Sequence, residues 1–281
     1  MRRLFTLALL LAATAPAHAQ PRVFDMHVHL RDGAASAESF EARQVDDDVD
    51  LGAYGAMWFG GPHQALEGQL QQVRAGNDRI IALAAANPKV LPIATVHPYD
   101  GEAALAELAR VAGQGVKVLK IHPHTQRFDL ADPRVLAVAR RAGELGMVVL
   151  TDNAGIVADD TEDLFNLALR APYTQFVFAH IGGLDFRFWN VLALARTAEG
   201  VFAENIHFDI SAIVVLMADA PIEDEFVWTL RNVGIDRILL GSDHPQLSLA
   251  DTVDALERLG LTPEETAKIR WGNAQRLFGL Q

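Results

Sequence analysis

The sequence predicts one (β/α)8, or TIM, barrel with an extra helix at its C-terminal end. Short apolar runs of strand character alternate with amphipathic runs of helical period, the pattern of βα units around a parallel sheet. Eight strand-like runs occur, near residues 22–28, 53–60, 91–97, 115–122, 147–152, 175–181, 206–210 and 237–242. The length agrees, because the 281-residue chain without its first 19 residues has the ordinary size of a single barrel of this kind.

In chain order, Arg2 and Arg3 precede an apolar run, Leu4 to Ala13, and the small-residue site Ala17-His18-Ala19. This is the layout of a secretory signal, so residues 1–19 are expected to be removed, leaving a single domain over 20–281 in the periplasm or outside the cell. The apolar run falls short of the roughly 20 residues that span a bilayer, and no later stretch reaches that length, so no membrane partner is expected. Removing residues 1–19 takes away two Arg and no acid, which moves the formal net charge from −12 to −14. That charge excludes nucleic acid as a natural partner and leaves a small-molecule substrate; a homo-oligomer is compatible with it. The chain has no Cys, so any metal must be held by His and carboxylate.

The first strand reads Val23-Phe24-Asp25-Met26-His27-Val28-His29-Leu30. Strand side chains alternate faces, so His27 and His29 point the same way, and two neighbouring imidazoles form half of a metal site for zinc or a similar ion. A polar, acidic stretch from Arg31 to Asp50 then predicts a loop and a helix. Further on, Asp132 can cap a helix with Pro133 in its first turn, and Val135, Leu136, Val138, Ala139 and Ala142 recur on one face. Thr262-Pro263-Glu264-Glu265 opens the final helix as a capping box.

Barrel active sites form where the strands end, and that is where the polar residues fall. His27 and His29 close strand one, His97 strand three, His122 strand four, His180 strand six and Asp243 strand eight, while Asp209 lies in strand seven. Lys120 shares a face with His122 by strand alternation. Arg31, Arg127 and Trp58 fall in loops on the mouth side, where they could clamp a carboxylate or stack on a ring. His97 is followed by Pro98, which suits a plain turn, and His63, His124, His207 and His244 read as surface or supporting residues.

Taken together, Asp25-Met26-His27-Val28-His29, the strand Gly115 to Pro123, Ala179-His180-Ile181-Gly182-Gly183, Gly241-Ser242-Asp243-His244-Pro245 and the closing Gly272 to Phe278 resemble the amidohydrolase superfamily. The likeness is to its amidohydrolase 2 branch, which includes aminocarboxymuconate semialdehyde decarboxylase-like lyases and lactone hydrolases. It runs from about Val23 to the C-terminus. It implies one divalent ion, most simply Zn²⁺, on His27, His29 and Asp243, with His180 as a base, a substrate-polarising group or a further ligand. A fifth-strand His is part of the family pattern, but Met147 to Gly155 contains none. Asp152 could take its place, or His122 or His180 could close the coordination sphere, and imidazole is the readier ligand for a borderline-soft ion. Lys120, if modified, could bridge two metals, but the missing His argues for a single ion.

Three protein ligands and an open position suffice for a catalytic zinc site. The chemistry expected is hydrolysis of an amide, lactone or ester by a metal-activated water, with Asp243 passing its proton. The alternatives are non-oxidative decarboxylation of an aromatic or unsaturated acid, and a barrel that binds a small ligand without catalysis.

Overall fold

The computed structural model describes residues 22–198 and 204–281; the expected signal at 1–19 lies outside the described residues. Eight parallel strands follow one another around a single sheet: β1 (Val23–His29), β2 (Leu51–Met57), β3 (Val90–Ala94), β4 (Val118–Ile121), β5 (Val148–Thr151), β6 (Gln175–Phe178), β7 (Ile206–Asp209) and β8 (Ile238–Leu239). The ring closes just beyond β8, where the Met26 N–H donates to the Leu240 carbonyl and the His29 N–H to the His244 carbonyl, both at 2.9 Å. This is the α/β barrel that the alternating pattern predicts, and no described helix is long and apolar enough to cross a membrane.

Local rules account for the helices. The helix Pro133–Glu144 starts where the Asp132 carboxylate accepts from the Arg134 N–H at 2.8 Å, and it buries the five apolar residues named above. The capping box at the helix Pro263–Ala267 is reciprocal, with the Glu265 N–H on Thr262 Oγ1 at 3.3 Å and the Thr262 N–H on Glu265 Oε2 at 2.8 Å. That helix runs through a π turn, Lys268–Gly272, into Asn273–Phe278. The Ile269 carbonyl in this turn accepts from the Leu240 N–H at 3.2 Å, and Phe278 packs 5.7 Å from Phe24 on the outer face of β1. The closing helix is thereby fastened to both ends of the ring.

Several strands are shorter than the apolar runs suggest, each for a local reason. β3 stops at Ala94 because the Thr95 N–H leaves the ladder for Asn77 Oδ1 at 3.0 Å. β6 stops at Phe178, and His180 and Ile181 then take φ of 59° and 44°. β8 stops at Leu239, after which Asp243 sits at φ 62°. Left-handed backbone is unfavourable for such side chains, most of all for β-branched Ile, and it persists where surrounding contacts over-determine it. At His180 those contacts are Trp189 stacked 5.1 Å from Phe178 and the Gly182 N–H bonded to the Asn153 carbonyl at 2.9 Å. A Cβ on Gly183 would lie 2.1 Å from the Ala154 carbonyl oxygen, so the loops after β5 and β6 can meet only with glycine there.

Candidate metal centre

Asp25, His27 and His29 line the inner face of β1, and each is fixed by a different neighbour. Asp25 accepts from the Ser242 N–H at 2.8 Å, from Ser242 Oγ at 2.5 Å and from the His27 N–H at 3.0 Å, which ties β1 to the turn after β8. The Nδ1 of His27 lies 3.1 Å from Asp209 Oδ2, and that of His29 lies 2.6 Å from the Phe59 carbonyl oxygen. A carbonyl can only accept, so His29 carries its proton on Nδ1, and the Asp209 carboxylate imposes the same tautomer on His27. Both Nε2 atoms are left as acceptors, each 3.5 Å from Asp243 Oδ1, and Lys120 Nζ lies 3.3 Å from that of His27. Two ligands held about 2.0–2.2 Å from one ion at a tetrahedral angle are about 3.3–3.6 Å apart, so these atoms have the spacing of a coordination edge.

His27, His29 and Asp243 form one cluster of potential ligand atoms, and His27, His180 and Asp209 form a second. The first fits a divalent ion better, because in the second the Asp209 carboxylate is spent on donors: His27 Nδ1, the His180 and Ser211 N–H groups, and Ser211 Oγ. Burial first, and then the nearby Lys120 charge, pull His27 down to about 4, so it is neutral at neutral pH as ligation requires. Charge agrees with this reading. Asp152, Asp209 and Asp243 are all held below the usual carboxylate range despite burial, by the surrounding imidazoles. Facing them are Lys120, whose ammonium burial disfavours, and His180.

The vacancy on β5 proves to be a bridge. Asp152 Oδ1 lies 3.3 Å from His180 Nε2 and 3.6 Å from His122 Nε2, so the three residues weighed as alternative ligands sit together. Asp152 belongs to neither ligand cluster. His180 donates from Nδ1 to the Ser211 carbonyl at 2.9 Å. Burial opposes charge on its ring, but the Asp152 bond and the Asp209 field outweigh that and raise it to about 9. His122, also buried but lacking such a bond, is lowered to about 3. Lys120 is fully buried with Nζ 3.3 Å from His27 Nε2, at the floor of the same site.

Two residues expected to meet a ligand do not line the cavity. Trp58 is a core residue: its ring lies against Gly76, where a Cβ would be 2.2 Å away, and its Nε1 donates to Asn77 Oδ1 at 3.0 Å. Arg127 ends the short helical turn after β4 in left-handed conformation and reaches Gln64 on the surface, outside the cavity. Arg31 does line the cavity, beside Gly61. His97 is structural, bonded through Nε2 to the Gln126 carbonyl at 2.7 Å. Sequence reasoning passed over Asp209 as a partner for His27, together with Ser211, Thr125 and Gln246. Only Asp209 carried a signal, as an acid at the end of a strand.

These residues surround a polar cavity of about 110 Å³, lined by His27, His29, Arg31, His122, Asp152, His180 and Asp243 among others. Asp209→Asn should weaken metal binding about 10–100-fold by releasing the His27 ring, as read by competition with a chromogenic chelator; unchanged affinity would show that Asp209 does not orient the ligand.

The titrations also set the pH dependence of the metal-free fold. Between about pH 4 and 6.5 the unfolded chain binds protons on His27, His122 and His207 that the folded chain does not, so stability falls on acidification through this window. Asp25, raised to about 7 by burial, opposes this with one proton and leaves the direction unchanged. His180 contributes stability below about pH 6.5 that is lost as the pH rises through about 9. Chelator-treated protein is therefore expected to melt at a lower temperature at about pH 5 than at about pH 7, and an equal or higher Tm at the acid value would contradict this assignment.

The amidohydrolase family model matches residues 24–280, with the metal cluster and the Asp152–His180 pair inside the match. The chain belongs to the amidohydrolase family. Among solved structures, 5-carboxyvanillate decarboxylase from Sphingomonas paucimobilis aligns with TM-score 0.72 at 16% identity, over 94% of this chain and 100% of that one. The 2,6-dihydroxybenzoate decarboxylase from Rhizobium gives 0.69 at 16%, over 93% and 99%. A dihydroxybenzoic acid decarboxylase from a Polaromonas species, solved with bound manganese, gives 0.68 at 16%, over 93% and 97%. At this identity the likeness establishes the shared fold. No curated protein matches the chain.

Proposed function

We propose that this family member is a metal-dependent lyase that releases CO₂ from an aromatic or unsaturated carboxylic acid. The observation that carries this reading is the Asp152–His180 pair. Asp152 Oδ1 stands 3.3 Å from His180 Nε2 and favours the charged ring, so a carboxylate-held imidazole able to deliver a proton lies beside the His27, His29 and Asp243 cluster, and replacing CO₂ by hydrogen requires a proton delivered to carbon. The decarboxylases among the similar structures support the same choice.

His27 Nε2, His29 Nε2 and Asp243 would hold the ion, either Zn²⁺ or the manganese seen in a relative. When bound, such a cation supplies a Lewis acid that polarises an oxygen of the substrate. Arg31 at the rim pairs with the acid's charge and orients it. His180 gives its proton to the carbon bearing the carboxylate, the C–C bond breaks, its electron pair stays on the ring or alkene system, and CO₂ leaves. Asp152 holds the imidazolium in place and favours its reprotonation from solvent. Where the substrate carries an acidic hydroxyl, Asp243 accepts its proton and returns it to the product once the carbon has been protonated.

Hydrolysis of a lactone, amide or ester is the second reading. It is favoured by Asp243 Oδ1 standing 3.5 Å from both Nε2 atoms, the place of a base toward water. Incubating metal-loaded protein with aromatic and unsaturated acids and with lactones, amides and esters, while following CO₂ and ring or chain opening, separates the two. CO₂ from an acid is the expected result; opened lactone, amide or ester product without CO₂ would replace this reading by the second. We further propose that the chain acts outside the cytoplasm after cleavage before Gln20, which N-terminal sequencing of native protein tests.

A further inference from the structure

The polar cavity, at about 110 Å³, is well below the roughly 300–1,000 Å³ of a usual small-molecule site. It has room for a carboxylate head and little more. It does not end at His180 and Asp243, however. A larger groove of about 770 Å³ continues from it, sharing His122, Asp152, His180, Asp243 and Gln246, and its remaining wall is mainly apolar.

That wall is made by three separate segments that follow β5, β6 and β7. Ile156 and Val157 follow β5, Leu184 follows β6, and Leu216 lies in the helix Ile213–Met217 after β7. Ile156 is 83% exposed, Leu184 63% and Leu216 65%. Of the nine large apolar side chains exposed among the described residues, these and Val157 make four, so the apolar surface is concentrated at one place. Scattered apolar residues need no explanation, but a contiguous patch rimmed by polar groups marks a binding surface. Its continuity with His180, Asp152 and Asp243 in the wall of the polar cavity points to the occupant.

We propose that the groove holds an apolar ring or chain of the substrate, so that the acid has a hydrocarbon extension directed away from its carboxylate past Asp152 and His180. This rests on the reading of the polar cavity as the seat of a substrate carboxylate. It makes the extended apolar acid, rather than a compact polyhydroxylated one, the preferred ligand class.

The test is a binding series on metal-loaded wild-type protein by calorimetry, using benzoate and its 4-methyl, 4-ethyl, 4-propyl and 4-butyl derivatives. Affinity is expected to tighten about threefold to fourfold per methylene, the factor for burying a CH₂ group. In Leu184→Asn, Leu216→Asn protein the increment should shrink to less than about half of that factor while benzoate itself binds within about twofold of wild type. Both positions are mostly exposed, so these replacements leave the core untouched. A flat series, failure of the whole series to bind, or increments that survive the double replacement would overturn the proposal. So would a wild-type dimer that the double replacement dissociates, since the groove would then be an interface between copies. Binding increments without CO₂ release from any acid would sink the lyase reading and leave this one standing; CO₂ release with a flat series would do the reverse.

Discussion

Asp243→Asn is expected to fold, to retain part of its metal, and to lose about 10²–10⁴ in kcat, the usual contribution of a positioned acid or base. The backbone tolerates the exchange, because Asp243 sits at φ 62° and Asn is among the few side chains at ease in that region. An amide oxygen can still face His27 and His29, but an amide accepts no proton at neutral pH. Burial would raise the Asp243 carboxyl, yet its neighbours His27, His29 and His180 hold it below the usual carboxylate range, so it is ionised at neutral pH. The loss is expected in both chemical readings, since each uses this oxygen as the acceptor. Steady-state kinetics of the metal-loaded variant checks it, and near-normal kcat would mean that Asp243 only shapes the turn.

The double replacement His27→Ala, His29→Ala is expected to abolish metal binding and to lower activity by about 10³-fold or more, which is several kcal/mol of transition-state charge stabilisation. The fold should survive, although His27 is almost fully buried. Its partner Asp209 keeps the His180 and Ser211 N–H groups and the Ser211 hydroxyl as donors, so that buried carboxylate remains hydrogen-bonded. Circular dichroism and metal analysis of the same preparation read the two halves of this prediction. A variant that still holds one ion would place the site elsewhere.

How much of this was legible in the sequence depended on distance along the chain. His27 and His29 were readable because strand alternation sets both on one face, and the caps at Asp132 and Thr262 because they are three- or four-residue rules. The eight strands were readable as apolar runs, but their ends were not. The chain leaves the ladder at Ala94, Phe178 and Leu239 for bonds to Asn77, for a turn held by Trp189, and for the Ile269 carbonyl, partners remote in sequence. The same holds for the site. Asp152, His122 and His180 looked like competing candidates because only the pairing of β4, β5 and β6 brings them together. Trp58 looked available to a ligand because nothing local reveals that Gly76 lies against its ring. The groove was invisible for a related reason, since Ile156, Leu184 and Leu216 each look like isolated surface residues until three segments converge.

Turnover is expected to depend on one divalent ion held by His27, His29 and Asp243. The most direct test is to measure metal content and CO₂ release on the same protein as purified, after chelation, and after adding back Mn²⁺ or Zn²⁺. Bound metal and activity are expected to vanish together on chelation and to return together, with activity saturating at one ion per chain. Full activity in protein shown to be free of metal would contradict this dependence.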